Sequence, residues 1–298
     1  MSLLSRVHSV FERSISDETL NAVVDHLERF GYIEEGDLDG LSDVRVRDVV
    51  VAAIGKLAEH AGIHLTGIWL FDLVALYRFI RRNPRCSVSE KLEEQPEAAM
   101  SRWTKRQLTY YIEKVPRGFS TGAFSSAVSD YFNNWTAVAD ISFSERDQSS
   151  TDIIISTGRG PGQNFDGAGG TLAWAYLPNG SDSQLLMRFD DDETFTTDPT
   201  GRGTQLENVS THEFGHLIGI SHAPNATSLM SPYYNKSIAT PRAWDISQAQ
   251  TRYGAPKSAP PSPPATPPVP PVPTPPAEPV NPYLVDVRTI IIPGHRII

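Results

Sequence analysis

Apolar residues recur at three- and four-residue intervals through Leu20, Val23, Val24, Leu27 and Phe30, and the run closes at Gly31. That spacing predicts an amphipathic helix with a glycine stop. An Ala- and Val-rich stretch from Val46 to Ala61 ends at Gly62 in the same way. A third run, Trp69 to Ile80, carries Leu70, Leu73, Val74 and Tyr77 and stops before Asn83-Pro84. Residues 1–95 therefore read as a small bundle of three helices joined by Gly-containing turns. From residue 101 to 254 both periods occur. Leu108 to Val115, Asp152 to Ser156 and Leu172 to Tyr176 read as strands. Phe124, Val128, Phe132 and Trp135 share one helical face, and helices return at Gln205 to Ile218 and Ala243 to Tyr253. A Gly-rich loop, Gly158 to Gly170, lies between, so this region is α+β.

Beyond Ala255 the pattern ends. Residues 255–282 hold fourteen of the chain's 24 prolines, which rules out helix and central strand and predicts an extended polyproline spacer or tail. The last stretch, 283–298, is short and apolar, and no role follows from it. No apolar run reaches the roughly 18 residues that span a bilayer, so no membrane span is expected. The first residues, Met1-Ser2-Leu3-Leu4-Ser5-Arg6, show no basic segment followed by an apolar one, so no secretory signal is visible.

Charge and cysteine usage narrow the function. A net charge of -9 argues against nucleic acid as a partner, because phosphate binding needs clustered Lys and Arg. The run Asp190-Asp191-Asp192-Glu193 suits a hard cation, although a solvated acidic turn has the same composition. A single cysteine, Cys86, excludes an intramolecular disulfide framework.

The chemistry concentrates in His212-Glu213-Phe214-Gly215-His216-Leu217-Ile218-Gly219-Ile220-Ser221-His222. Histidines at i and i+4 lie on one face of a helix, where both imidazoles can hold one zinc with Glu213 beside it. Gly219 permits the sharp exit that brings His222 round as a third ligand. Three neutral imidazoles leave the fourth zinc position to water, whose proton Glu213 would accept during attack on a carbonyl. His-Glu-x-x-His alone arises by chance in about one in a hundred chains of this size; the glycine and third histidine lower that to roughly one in a hundred thousand. A helix with surface histidines is set aside on that ground.

This segment, followed eight residues later by Met230 in Ser228-Leu229-Met230-Ser231-Pro232-Tyr233-Tyr234, resembles the matrix metalloproteinase (matrixin) branch of the metzincin zinc endopeptidases. Trp103-Thr104-Lys105 with Leu108-Thr109-Tyr110 resembles the start of that family's catalytic domain, and Asp245-Ile246 through Tyr253-Gly254 its closing helix. Gly170 to Tyr176 resembles the edge strand that pairs with an extended substrate. Ala223 departs from the Ser that commonly follows the third histidine. The resemblance implies a twisted, mostly parallel five-stranded sheet with three helices over 101–254, preceded by a three-helix prodomain over 1–95 and a connector at 96–102. It implies a methionine turn at Met230 flooring the zinc site, and Pro232 and Tyr234 walling an apolar specificity pocket.

The same resemblance extends to Pro84-Arg85-Cys86-Ser87-Val88-Ser89-Glu90, similar to the family's cysteine switch but with Ser87, Ser89 and Glu90 where Gly, Pro and Asp are usual. It implies that Cys86 is a zinc ligand in a latent form, with Arg85 and Glu90 as an ion pair holding the loop. It implies a calcium loop with carboxylates from Asp166, Asp190 and Glu193 and carbonyls from Gly167, Gly169 and Thr171, and a second calcium at Asp152. The family's structural zinc falls on Arg159, Pro161, Trp174 and Arg188, none of which ligates zinc, so one zinc per chain is expected. The implied protein is an extracellular, monomeric zymogen acting on protein or peptide substrates. The competing reading is a catalytically silent protein of the same fold, binding cell wall or protein through its N-terminal helices or proline-rich tail.

Overall fold

A computed structural model of the protein describes residue 7, residues 16–90 and residues 101–257, without the side chains of Glu35 and Trp69. Residues 1–6 and 8–15, most of the connector, the proline-rich stretch from 258 and the final apolar segment lie outside the described residues. No helix among the described residues is long and apolar enough to cross a membrane.

The helical region contains α1 (Asp17–Arg29), α2 (Asp43–Ala61) and α3 (Trp69–Ile80). Ser16 caps α1 by accepting from the Thr19 amide at 3.3 Å, and α2 ends on Gly62 in the left-handed conformation. A polar cap thus sets the start of α1 and a glycine the end of α2, whereas α3, flanked by Ile68 and Arg81, has neither. Leu20, Val23, Val24 and Leu27 of α1 meet Val50, Ile54 and Leu57 of α2 and Leu73 and Leu76 of α3 in one core. Tyr233, far along the chain, is buried in that same core.

The second region carries β1 (Gln107–Ile112), α4 (Thr121–Thr136), β2 (Ser142–Glu145), β3 (Ile153–Gly158), β4 (Ala173–Ala175) and β5 (Leu185–Asp190). After the short pair β6 (Phe195–Thr196) and β7 (Thr204–Gln205) come α5 (Leu206–Leu217) and α6 (Ala243–Tyr253). The five-stranded sheet has the order β2-β1-β3-β5-β4. Neighbours are parallel except β4, which runs antiparallel to β5 at one edge. This is the α+β architecture expected, with β2, β5, β6 and β7 added to the strands that alternation predicts.

The core lies between sheet and helices. Phe132 of α4 stacks on Phe214 of α5, centroids 3.7 Å apart, and Trp135 Nε1 donates to Thr211 O at 2.8 Å. Aromatic stacking and a satisfied indole clamp α5 against α4, which fixes the helix that carries the first two metal-ligand candidates.

Candidate metal centre

α5 is buried at every position but Glu207, so its histidines are held by packing rather than by solvent. His212 and His216 sit one turn apart. The helix then breaks at Gly219, whose φ is +91°, and a Cβ there would stand 1.9 Å from the Ser101 carbonyl oxygen. Only glycine accepts both that angle and that approach. The released chain carries His222 back to the first two rings.

The hydrogen bonds of the three rings show what they can hold. His212 Nδ1 lies 2.8 Å from Leu229 O, His216 Nδ1 2.8 Å from Ile220 O, and His222 Nδ1 3.0 Å from a Glu90 carboxylate oxygen. These oxygens accept, so each Nδ1 carries the proton and each Nε2 keeps a bare lone pair. Yet His216 Nε2 stands 3.1 Å from that of His212 and 3.2 Å from that of His222. Three lone pairs converge with no hydrogen between them, an arrangement that calls for a cation. A tetrahedral zinc with nitrogen ligands would set such atoms about 3.3 Å apart, so the donor set fits. Burial, then the neighbouring His222, pushes His212 down to about 3, and burial likewise lowers His216, which keeps both neutral.

The fourth donor is Cys86. Its sulfur lies 3.4 Å from His216 Nε2, against about 3.6 Å across a zinc–thiolate edge. Among the described residues, Cys86, His212, His216 and His222 form the one group of three or more ligating side chains whose donor atoms gather within 4.8 Å. Cys86 and Glu213 line the same pocket beside His212, and burial raises the Glu213 carboxyl to about 8.

Cys86 arrives on a strand-like segment laid in a cleft. On one side Arg85 N donates to Gly170 O at 3.0 Å, Leu172 N to Arg85 O at 3.0 Å, and Ser87 N to Ala173 O at 3.2 Å. On the other, Cys86 N donates to Pro232 O and Tyr234 N to Pro84 O, each at 3.0 Å. Arg85 and Glu90, 2% and 0% exposed, pair at 2.5 Å. The guanidinium also lies 3.9 Å from the Phe30 ring centroid and donates through Nε to Cys86 O at 2.8 Å.

Below the histidines Met230 fills the space beside Gly215, where a Cβ would meet its sulfur at 2.3 Å. Asp245 holds this turn by accepting from Ser228 Oγ, Leu229 N and Met230 N. A pocket lined by Leu172, Val209, Leu229, Pro232, Tyr234 and Ile238 opens beside His212 and Glu213. Gly215 and Asp245 were not singled out from the sequence; the small residue between two ligand histidines was the available signal for the first.

The chain belongs to the matrixin family. The family described as Matrixin, of the M10 peptidases, matches residues 102–254. The hatching enzyme of Paracentrotus lividus is 34% identical over 83% of this chain and 40% of its own length. Matrix metalloproteinase-17 of Homo sapiens is 31% identical over 80% of the chain and 39% of its own length. Stromelysin-1 of Rattus norvegicus is 30% identical over 83% of the chain and 52% of its own length. The chain thus spans about half or less of these curated relatives.

Within this matrixin the acidic loop forms a second polar centre. Glu193 accepts from Gly169 N at 2.5 Å and Asp166 from Thr171 N at 2.7 Å, with Gly167 in the same turn. Asp190 Oδ2 is buried with no hydrogen-bond partner. Burial, then nearby carboxylates, raises both Asp190 and Glu193. Asp166 is paired with Arg29 at 2.9 Å, and among the described residues these carboxylates do not gather as a group of metal ligands. Asp152 stands apart, paired with Lys105 at 2.5 Å and accepting from Thr109 N at 2.8 Å, with no group of ligating side chains gathered around it among the described residues.

Arg159, Pro161, Trp174 and Arg188 do not gather as ligands. Arg159 instead pairs with Asp191 at 2.8 Å and Asp192 at 3.1 Å. Trp174 Nε1 donates to Gln163 O at 2.9 Å, with the Arg188 guanidinium 5.7 Å from its ring. Ion pairs and an indole tie down the glycine-rich loop.

Proposed function

We propose that this matrixin is a zinc-dependent endopeptidase made as a latent zymogen, its metal site closed by Cys86. The observation that carries the reading is the convergence of three proton-free imidazole nitrogens beside a buried glutamate, at the floor of a cleft that binds an extended backbone on both sides. When bound, zinc supplies the Lewis acidity that acidifies water and polarises a carbonyl.

The chain's own residues supply the rest. Glu213 Oε2 is buried and without a hydrogen-bond partner, free to take a proton from the nucleophile and pass it to the leaving amine. The Gly170–Ala173 edge and the Pro232–Tyr234 segment, which hold Pro84–Ser87 in the latent chain, bind substrate backbone by the same groups once that segment leaves. The apolar pocket between Leu172 and Ile238 receives the side chain that follows the scissile bond. Protein substrates, one catalytic zinc, a calcium held by Asp166, Asp190 and Glu193, and action outside the cell complete the reading. The silent-binder alternative gains no support, because a protein that only binds has no use for Glu213 at this position.

The test is turnover of a quenched peptide with an apolar residue after the scissile bond, using protein trimmed to residue 101 with zinc and calcium present. Hydrolysis that falls by about 10²-fold or more in Glu213→Ala, the range for losing a general base, supports the assignment. A zinc-loaded, folded, trimmed protein without turnover would overturn it.

A further inference from the structure

We propose that Glu90 completes the metal centre as the outer hydrogen-bond partner of His222, so that the segment closing the site also retains the zinc. This rests on the reading that His212, His216 and His222 hold zinc.

The three ligand histidines differ in where their outer partners come from. Those of His212 and His216 are the Leu229 and Ile220 carbonyls, on the same turns that build the site. That of His222 is the Glu90 carboxylate at 3.0 Å, which lies on the other side of the connector. Glu90 is anchored by the helical region. Its amide donates to Phe30 O at 2.9 Å, Lys56 Nζ donates to its carbonyl at 3.3 Å, and His60 Nδ1 stands 3.6 Å from Oε2. Oε1 is shared between Arg85 Nη2 at 2.5 Å and His222 Nδ1.

A carboxylate on the far nitrogen fixes the tautomer and orientation of a ligand histidine and raises its basicity, and such partners are worth about 10–100-fold in metal affinity. Cutting the connector and releasing the helical region withdraws two groups together: the thiol, whose position water can fill, and the carboxylate, which leaves His222 Nδ1 facing the vacated space. The latent chain should hold zinc more tightly than the trimmed enzyme for a reason separate from the thiol.

The experiment must separate this role from that of counter-ion to Arg85. Zinc-loaded full chains carrying Cys86→Ser and Arg85→Met are compared with the same chain bearing Glu90→Leu in addition. Neither holds the thiol or the guanidinium, so the pair differs only in the carboxylate. Zinc release to an excess of chromogenic chelator should be about 10–100-fold faster in the triple variant. Equal release rates overturn the proposal. In the same samples the Nδ1–H proton resonances of His212 and His216 should persist while that of His222 is lost with Glu90; a His222 resonance unchanged by Glu90→Leu also overturns it. A starting chain that fails to bind one equivalent of zinc would instead sink the underlying metal-site reading.

Discussion

Replacing Arg85 with Met removes a charge from a buried site. Arg85 is 2% exposed, pairs with Glu90 at 2.5 Å, donates to Cys86 O at 2.8 Å and reaches the Tyr32 hydroxyl at 3.3 Å. Methionine keeps much of the alkyl stem against Phe30 but leaves Glu90 buried without its cation. Breaking one partner of a buried pair costs about 3–5 kcal/mol. Glu90 retains His222 at 3.0 Å and His60 at 3.6 Å, which points to the lower end. In the undocked chain all these groups are hydrated, so the loss falls on the docked state alone. About 3 kcal/mol at 1.4 kcal/mol per tenfold raises the open population roughly a hundredfold. Alkylation of Cys86 in the zinc-loaded full chain reads that population where opening is fast relative to reaction. Modification should accelerate about a hundredfold, with peptidase activity appearing in parallel. Alkylation within about threefold of the parent rate would refute the argument that the buried pair holds the latch.

Gly219→Ala combines a left-handed φ with a Cβ 1.9 Å from Ser101 O; denaturant unfolding of the trimmed protein should show a loss of about 2–5 kcal/mol and poorer zinc retention. Calcium at a hundredfold excess over its dissociation constant should stabilise the protein by about 2.7 kcal/mol, read as a rise in Tm, and Asp190→Asn should abolish that gain. Burial lowers His60 from 6.5 to about 4, against the pull of Glu90. Its neutral form favours the docked state, so this contribution is intact above pH 6.5 and declines as pH falls toward 4, by about 3 kcal/mol in all. Undocking of the helical region followed from pH 7 to 4.5 should therefore steepen below 6.5, and His60→Gln should flatten the profile.

What the sequence revealed depended on the range of the interaction. Helical periodicity located α1, α2 and α3 because each carries its apolar residues at helical spacing, helped by the Ser16 cap of α1 and the Gly62 stop of α2. The strand β5 was not found, since its burial alternates while its sequence opens on the unbroken apolar run Leu185-Leu186-Met187. Nor was β2, whose Ser142–Glu145 residues are exposed or half-buried throughout. The histidine spacing announced itself because helix and turn geometry are local. Asp245 looked like part of a closing helix and also caps it, through Arg242 N at 2.7 Å, but its bonds to Ser228, Leu229 and Met230 join separated segments. Likewise the pairing of Arg159 with Asp191 and of Glu90 with His222 spans 32 and 132 residues, and neither leaves a periodic trace.

The proposed function raises a chemical question: how can a peptide segment lie in a protease site without being cut? The carbonyls nearest Cys86 answer it. Pro84 O accepts from Tyr234 N, Arg85 O from Leu172 N, and Cys86 O from Arg85 Nε. Two point sideways into the backbone ladders and the third into the guanidinium, so all three are engaged away from Glu213. In extended chain the side chain projects perpendicular to those ladders. Aiming the Cys86 side chain at the histidines therefore directs the neighbouring carbonyls away from them. A thiol in the place of a scissile carbonyl is a consequence of strand geometry, and Arg85 reinforces it by holding the one carbonyl that no ladder claims. Under the proposed function the same guanidinium protects the segment from cleavage and, through Glu90, ties it to the metal centre, so its loss should be felt in both latency and zinc retention.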